Sequence, residues 1–311
     1  MLLALAGGVG GAKLAAGLDR ALGGALTVVV NTGDDFEHLG LSISPDVDTV
    51  MYTVAGISNP DTGWGLAGET WSFMAMLERL GGETWFRLGD QDLAIHVERT
   101  RRLASGESLS CVTSELCRTL GVRSRVVPMS DARVRTFVLT EQGELPFQHY
   151  FVRLRCEPAV RGLRFEGAAD ASMSEGFAEA LRHPSLCGIV LCPSNPYLSI
   201  DPILNVQGVR GALAARRVPA VAVSPIVGGQ ALKGPAAKIM QELGREASAV
   251  EAARHYAGLI DGFVLDGLDA AQAPDIEALG LRACVSDTVM RDAASREALA
   301  RRVLSFIESW R

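Results

Sequence analysis

Apolar residues along this chain fall into short unbroken runs, and each run ends in a loop of glycine or small polar residues. Residues 2–6 (LLALA) contain no polar break, the pattern of a strand covered on both faces in a parallel sheet. Gly7, Gly8, Gly10 and Gly11 follow, then Ala12, Lys13 and an Ala/Leu-rich helical periodicity to residue 22. Residues 26–30 repeat the strand pattern and run into Asn31-Thr32-Gly33-Asp34-Asp35. The same alternation resumes late in the chain. Residues 187–192 end in Pro193-Ser194-Asn195-Pro196, and residues 219–223 end in a loop from Ser224 to Pro235. Runs at 262–265 and 281–285 precede a closing amphipathic helix over 292–309. Strand, polar loop and helix in repetition predict a Rossmann-like, doubly wound α/β fold with a mainly parallel sheet.

The middle of the chain breaks this rhythm. Helical periodicity over 69–80, 91–103 and 108–120 predicts three consecutive helices, an inserted helical layer beside the sheet. Residues 123–127, 133–139 and 147–155 are rich in Val, Phe and Tyr, and Glu141-Gln142-Gly143-Glu144 supplies a turn between the last two. An antiparallel hairpin extension is expected there. The resulting division is a nucleotide-binding core over 1–60 and 185–311, with an inserted helical and hairpin region over 61–184 covering the active site.

Composition narrows the function. The chain has 311 residues and a formal charge of −6, and it lacks any basic run, so a nucleic-acid polymer is not an expected partner. No uncharged apolar stretch of about 18 residues or more occurs, and no leader pattern precedes the first strand, so a cytoplasmic protein without a membrane span is expected. The six cysteines form no CxxC pair and the five histidines are dispersed. A nitrogen or sulfur metal site is therefore disfavoured, and any metal would be a hard ion with oxygen ligands.

The first glycine loop matches neither common phosphate fingerprint. A Walker loop needs Gly before the lysine and Ser or Thr after it, where Ala12 and Leu14 flank Lys13, and a dinucleotide fingerprint needs a third glycine at Lys13 itself. By itself the loop suits a tight turn as well as it suits an anion. The second polar loop, at residues 31–35, falls on the same carboxyl edge of the sheet, where open α/β sheets bind ligands. With residues 194–196 and 224–234, four loops converge on that edge. Their Gly and Ser residues offer donors to phosphates, Asn195 suits a base or ribose, and Lys233 brings a charge for an oxyanion. Asp34, Asp35, Asp48 and Asp61 have the wrong sign for phosphate unless a divalent cation intervenes, so a magnesium ion is implied. Singly, Asp48 would be an acidic residue in the first turn of a helix beginning at Pro45, and Asp61 part of a plain turn.

Taken in order, Gly7-Gly8-Val9-Gly10-Gly11-Ala12-Lys13, Asn31-Thr32-Gly33-Asp34-Asp35, Pro45-Asp46-Val47-Asp48-Thr49, Gly63-Trp64-Gly65, Trp85-Phe86-Arg87-Leu88-Gly89-Asp90, Pro193-Ser194-Asn195-Pro196 and Ser224-Pro225-Ile226-Val227-Gly228-Gly229 resemble the CofD/FbiA family. The likeness runs past Asp266, essentially the whole chain. The resemblance implies 2-phospho-L-lactate transferase chemistry in coenzyme F(420) biosynthesis. A three-carbon acid linked to guanosine diphosphate gives its acid-bearing phosphoryl group to the terminal ribityl hydroxyl of FO (7,8-didemethyl-8-hydroxy-5-deazariboflavin). GMP leaves, and magnesium assists. Carried over residue by residue, the resemblance implies that Asp48 touches FO and the metal and that Asp61 is its partner carboxylate; both are expected to be catalytic and to hold magnesium, with Asp48 orienting or deprotonating the attacking hydroxyl. Arg87 stands where the family has a basic residue contacting FO. Ser194, Asn195, Gly228 and Gly229 would hold the guanosine diphosphate, with Gly10 and Gly11 near its phosphates; Lys13 and Lys233, by their charge, are expected to bind the phosphates as well. A homodimer is expected from the same likeness. The acid, whether phospholactate, phosphoenolpyruvate or 3-phosphoglycerate, is left open. The superfamily also includes YvcK-like regulators that bind a nucleotide sugar, but the Pro-Asp-x-Asp-Thr and Trp-Phe-x-Leu-Gly-Asp motifs favour the transferase. A nicotinamide-dependent oxidoreductase is the alternative from another class, weakened by the failed fingerprint at Lys13.

Overall fold

The computed structural model describes residues 1–310. Seven strands, Leu2–Ala6 (β1), Leu26–Val30 (β2), Arg125–Pro128 (β3), Gly188–Leu191 (β4), Ala220–Val223 (β5), Gly262–Asp266 (β6) and Arg282–Ser286 (β7), form one sheet in the order β7-β6-β5-β4-β1-β2-β3. Every neighbouring pair is parallel, with Leu3 of β1 opposite Thr27 on one side and Ile189 on the other. Chain order reverses between β1 and β4, so the crevice at their carboxyl ends is the switch point of the fold.

All five residues of β1 are buried because alternate side chains feed different layers. Leu3 and Leu5 pack with Phe177, Ile203, Leu213 and Phe263 on one face, while Leu2, Ala4 and Ala6 pack with Leu14, Leu18, Val50, Leu299 and Val303 on the other. Each such leucine stabilises the fold by roughly 1.5–3 kcal/mol. The second layer consists of helix Gly8–Leu22 (α1), helix Pro45–Ala55 (α2) and the closing helix Ala293–Glu308, with α1 packed against each of the other two. Pro45 starts α2 where its missing N–H costs nothing, and Asp46 and Asp48 sit in the first turn.

The expected run of three helices is present as Ser72–Arg79 (α3), Asp90–Ala104 (α4) and Leu109–Thr119 (α5). The antiparallel extension is a separate three-stranded sheet in which Arg135–Thr140 pairs with Gly143–Pro146 and with Val160–Glu166. Details differ from the strand pattern. The run at 123–127 is no part of the hairpin: it becomes β3, parallel to β2, so the stretch 61–184 supplies an edge strand of the main sheet. Residues 147–155 do not continue as a strand. They turn into a π-helix, His149–Arg153, which brings Phe147 and Tyr150 together into a core cluster with Val138, Val160 and Leu198. The expected helix after Pro196 is broken into Pro196–Ile200, Asp201–Asn205 and Val209–Ala214. A small hairpin, Phe36–His38 with Leu41–Ile43, turns through Leu39 and Gly40, both at positive φ. Among the described residues, no helix is long and apolar enough to cross a membrane.

Candidate active site

The switch point opens into a cavity of about 710 Å³. Its lining comes from the loop after β1, Asp34 after β2, the first turn of α2, the loops after β4, β5 and β7, and the inserted region.

Helix α1 begins at Gly8, directly beneath the cavity, and the N–H groups of its first turn lack intrahelical acceptors. The Gly8 N–H donates to Asp46 Oδ1 at 2.8 Å and the Gly7 N–H to Ser194 Oγ at 3.0 Å, while the Ser194 hydroxyl donates back to the Gly7 carbonyl at 2.8 Å. These bonds draw the loops after β1 and β4 so close that a Cβ on Gly10 would collide with the Pro193 carbonyl oxygen, and one on Gly11 with Ser194 Oγ. The glycines are thus required for the approach of two loops as well as for an open helix end.

Two ammonium groups stand at this end. Lys13 Nζ donates to the Met290 carbonyl at 3.0 Å, and Lys233 Nζ donates to the Thr62 carbonyl at 2.8 Å. Burial, then the charges of Arg296 and Lys233, lower the pKa of Lys13, so an anion here would relieve both desolvation and repulsion. Asn195 Oδ1 accepts from the Tyr197 and Leu198 N–H groups at 3.0 and 3.2 Å. Its Nδ2 is buried with no partner although the residue lines the cavity. A buried donor left in this way is a place for a ligand acceptor.

Carboxylates gather on the other side of the glycine loop, and Asp34, Asp35, Asp46 and Asp48 are all buried. Asp46 accepts from Gly8 and from Asn31 Nδ2 (3.0 Å), yet burial still pushes it up to about 6. Asp34 is raised well above the usual range by burial and by the neighbouring Asp46, and its Oδ1 has no partner. Burial raises Asp35 to about 7 despite Arg135 and a 2.8 Å bond from the Ser44 hydroxyl. An unpartnered buried carboxylate oxygen beside a second buried carboxylate is a donor set that a hard divalent cation would satisfy.

Asp48 is held differently. Both its oxygens meet the wholly buried guanidinium of Arg99, with Nη1 3.0 Å from Oδ2 and Nη2 on Oδ1. Burial raises Asp48, and Arg99 opposes that rise. Ligand atoms of Asp48, Asp92 and His96 lie within 4.8 Å of one another, but Arg99 already supplies the positive charge beside that group.

An aromatic sector completes the lining. Trp85 and Phe86 pack edge-on at 5.8 Å, Phe147 stacks on Phe151 at 5.2 Å, and Val152 lies beside them in the lining. Arg87 also lines the cavity, with its guanidinium 4.1 Å from the Trp71 ring centre.

Of the residues singled out in the sequence, Gly10, Lys13, Asp48, Arg87, Ser194, Asn195 and Lys233 line this one cavity. Gly11 packs immediately behind Ser194. Asp61 lies in an exposed turn whose N–H donates to Asn59 Oδ1, outside the lining. Gly228 and Gly229 are also outside it. They form the two-residue turn of the hairpin Ile226–Val227/Gln230–Ala231 at φ 57° and 75°, and the Gly228 N–H donates to Asp269 Oδ2 at 3.0 Å. Pattern reading passed over Asp92, His96 and Arg99, taking α4 as a covering helix. Their spacing, i, i+4 and i+7, puts three chemically active side chains on one helical face, which is the signal that could have found them.

A family model described as 2-phospho-L-lactate transferase CofD matches residues 2–305. Similar proteins include a phosphoenolpyruvate transferase of Streptomyces griseus subsp. griseus, 42% identical over 317 residues that cover 100% of this chain and 99% of that protein. A 2-phospho-L-lactate transferase of Methanopyrus kandleri is 40% identical over 311 residues, covering 99% of this chain and 97% of that one. Among solved structures, protein BH3568 of Bacillus halodurans superposes with a TM-score of 0.62 at 18% identity, over 97% of this chain and 98% of that chain. That last likeness concerns the fold alone.

Proposed function

The chain belongs to the CofD family of 2-phospho-L-lactate transferases, enzymes that transfer a phospho-acid group in coenzyme F(420) biosynthesis, and from that premise we propose the course of its own reaction. The donor is a three-carbon acid joined through its phosphate to GMP, and the acceptor is the terminal ribityl hydroxyl of FO. The hydroxyl oxygen bonds to the acid-bearing phosphorus as the bond from that phosphorus to the GMP oxygen breaks. Phosphoryl transfer of this kind depends mainly on positioning and charge stabilisation.

The observation that carries this reading is that two of the unspent buried polar atoms of one cavity are Asn195 Nδ2, a donor, and Asp34 Oδ1, an acceptor. Asn195, Ser194, the first turn of α1, Lys13 and Lys233 hold the diphosphate, and the lysines stabilise charge on the departing GMP. Asp34, with Asp46 beside it, would hold a magnesium ion. When bound, that ion supplies positive charge to the phosphoryl oxygens. Asp48 orients the ribityl hydroxyl and accepts its proton. The aromatic sector around Phe86 and Phe151 gives the flat deazaflavin an apolar surface. Arg87 contributes charge beside it. Relatives named for phosphoenolpyruvate and for 2-phospho-L-lactate leave the acid open between them. The six free cysteines suit the reducing cytoplasm, and a homodimer is carried over from the family likeness.

Binding tests the reading before turnover does. GDP at about 100 times its Kd should stabilise the protein by about 2.7 kcal/mol and raise its melting temperature, while a nicotinamide dinucleotide should not. Lys233→Ala should weaken GDP about tenfold, the loss of one charge-assisted contact. Unchanged affinity would make Lys233 only a tie between its loop and Thr62.

A further inference from the structure

We propose that Arg99 is a positioning residue of the transfer reaction, acting through Asp48 and itself held by His96, Asp92 and Tyr52. The proposal rests on the role of Asp48 given above. Asp48 is in the first turn of α2, part of the core, whereas Arg99 is on α4 in the inserted helical layer. Their ion pair joins those two elements at the carboxylate that takes the proton of the attacking hydroxyl.

The guanidinium meets Asp48 through two nitrogens, which fixes the carboxylate's plane as well as its place. Arg99 is itself surrounded. Its Nη1 is 3.2 Å from His96 Nδ1, so that nitrogen accepts and the imidazole, neutral, keeps its proton on Nε2. Nε2 lies 3.3 Å from Asp92 Oδ2, and the Tyr52 hydroxyl donates to Asp92 Oδ1 at 2.5 Å. Tyr52, Asp92, His96, Arg99 and Asp48 thus form one buried polar cluster, in which His96 Nε2 faces Asp92 at ion-pair distance without hydrogen-bond alignment. Asp48, Tyr52, Asp92 and His96 also line the cavity, whereas Arg99 stands behind them. Arg99 therefore acts on the substrate through Asp48. A lysine would keep the charge but lose the two-point grip.

The test compares Asp48→Asn, Arg99→Lys and Tyr52→Phe by steady-state turnover of FO, with rates counted per GDP-binding site so that misfolded protein does not enter. Asp48→Asn should abolish turnover. Arg99→Lys should lower kcat about 10- to 100-fold, with the KM of the guanosine diphospho-acid within about twofold of wild type, as misplacement of a reacting group does. Tyr52→Phe removes one hydrogen bond at a distance and should lower kcat about threefold with the same unchanged KM. It decides the matter if Arg99→Lys does not fold. A merely structural role would lower the melting temperature and leave kcat per binding site at the wild-type value. If Asp48→Asn is inactive while Arg99→Lys and Tyr52→Phe keep wild-type kcat, the positioning role is wrong. If Asp48→Asn itself keeps wild-type kcat, the role of Asp48 has failed instead.

Discussion

Asp35 offers the most quantitative handle on the buried carboxylates. Its side chain is buried between the loop after β2 and the start of α2, where the Ser44 hydroxyl donates to Oδ2 at 2.8 Å. Burial, the largest influence, carries its pKa from the usual 3.8 to about 7, against the opposing pull of Arg135. That is a shift of about 3 units, or about 4 kcal/mol between the two protonation states. The sign follows from proton binding: between these pH values the folded chain holds a proton that the unfolded chain has released, so stability falls as pH rises. The full contribution is present below about 3.8 and gone above about 7. Asp35→Asn removes this titration while keeping a carbonyl acceptor for Ser44. Urea unfolding of both proteins in EDTA, at intervals from pH 4 to 8, isolates it, because Asp46 and the other carboxylates are common to both. The stability of wild type minus that of Asp35→Asn should fall by about 4 kcal/mol across the range, most steeply between about pH 5 and 6 and levelling off above neutrality. A difference that stays flat with pH would refute the claim that a buried, costly carboxylate sits at this position.

Three further outcomes are expected. Gly10→Ala places a methyl group against the Pro193 carbonyl and should destabilise the fold by about 1–3 kcal/mol, read as a lowered urea midpoint with an unchanged slope. Chelation should stop turnover and magnesium should restore it, and Asp34→Asn should raise the magnesium concentration needed for half-maximal rate about tenfold or more, since a carboxylate ligand oxygen is lost. Phe151→Ala, which removes the stacked partner of Phe147, should raise the KM for FO about 2- to 10-fold and leave the donor's KM alone.

The sheet was legible because its strands are buried on both faces. A run such as LLALA has no amphipathic compromise to make, and its burial is complete. The converging loops followed from topology, since each comes after a parallel strand and must lie on one edge. Elsewhere local pattern misled. Residues 147–155 have the aromatic content of a strand, but Phe147 and Tyr150 fill one core cluster, which the π-helix achieves and alternation would not. Residues 123–127 look like hairpin material, yet an edge position beside β2 was open to them. Within the site, motif residues on loops were found and those on α4 were not. Asp92, His96 and Arg99 look like the solvated face of a helix, and only the partners Asp48 and Tyr52, some 40–50 residues away in sequence, show that this face turns inward. Gly228 and Gly229 were conspicuous for a simpler reason: a two-residue hairpin turn requires positive φ at both.

The most direct measurement of the transferase reading is a competition. The purified protein would be incubated with FO, magnesium and guanosine diphosphate derivatives of phospholactate, phosphoenolpyruvate and 3-phosphoglycerate, and the deazaflavin products and GMP would be quantified by mass. Expected is one dominant FO adduct, formed with an equal amount of GMP, whose mass names the acid. No adduct from any donor, from protein that still binds GDP or a nucleotide sugar tightly, would contradict it and leave a binding protein in place of an enzyme.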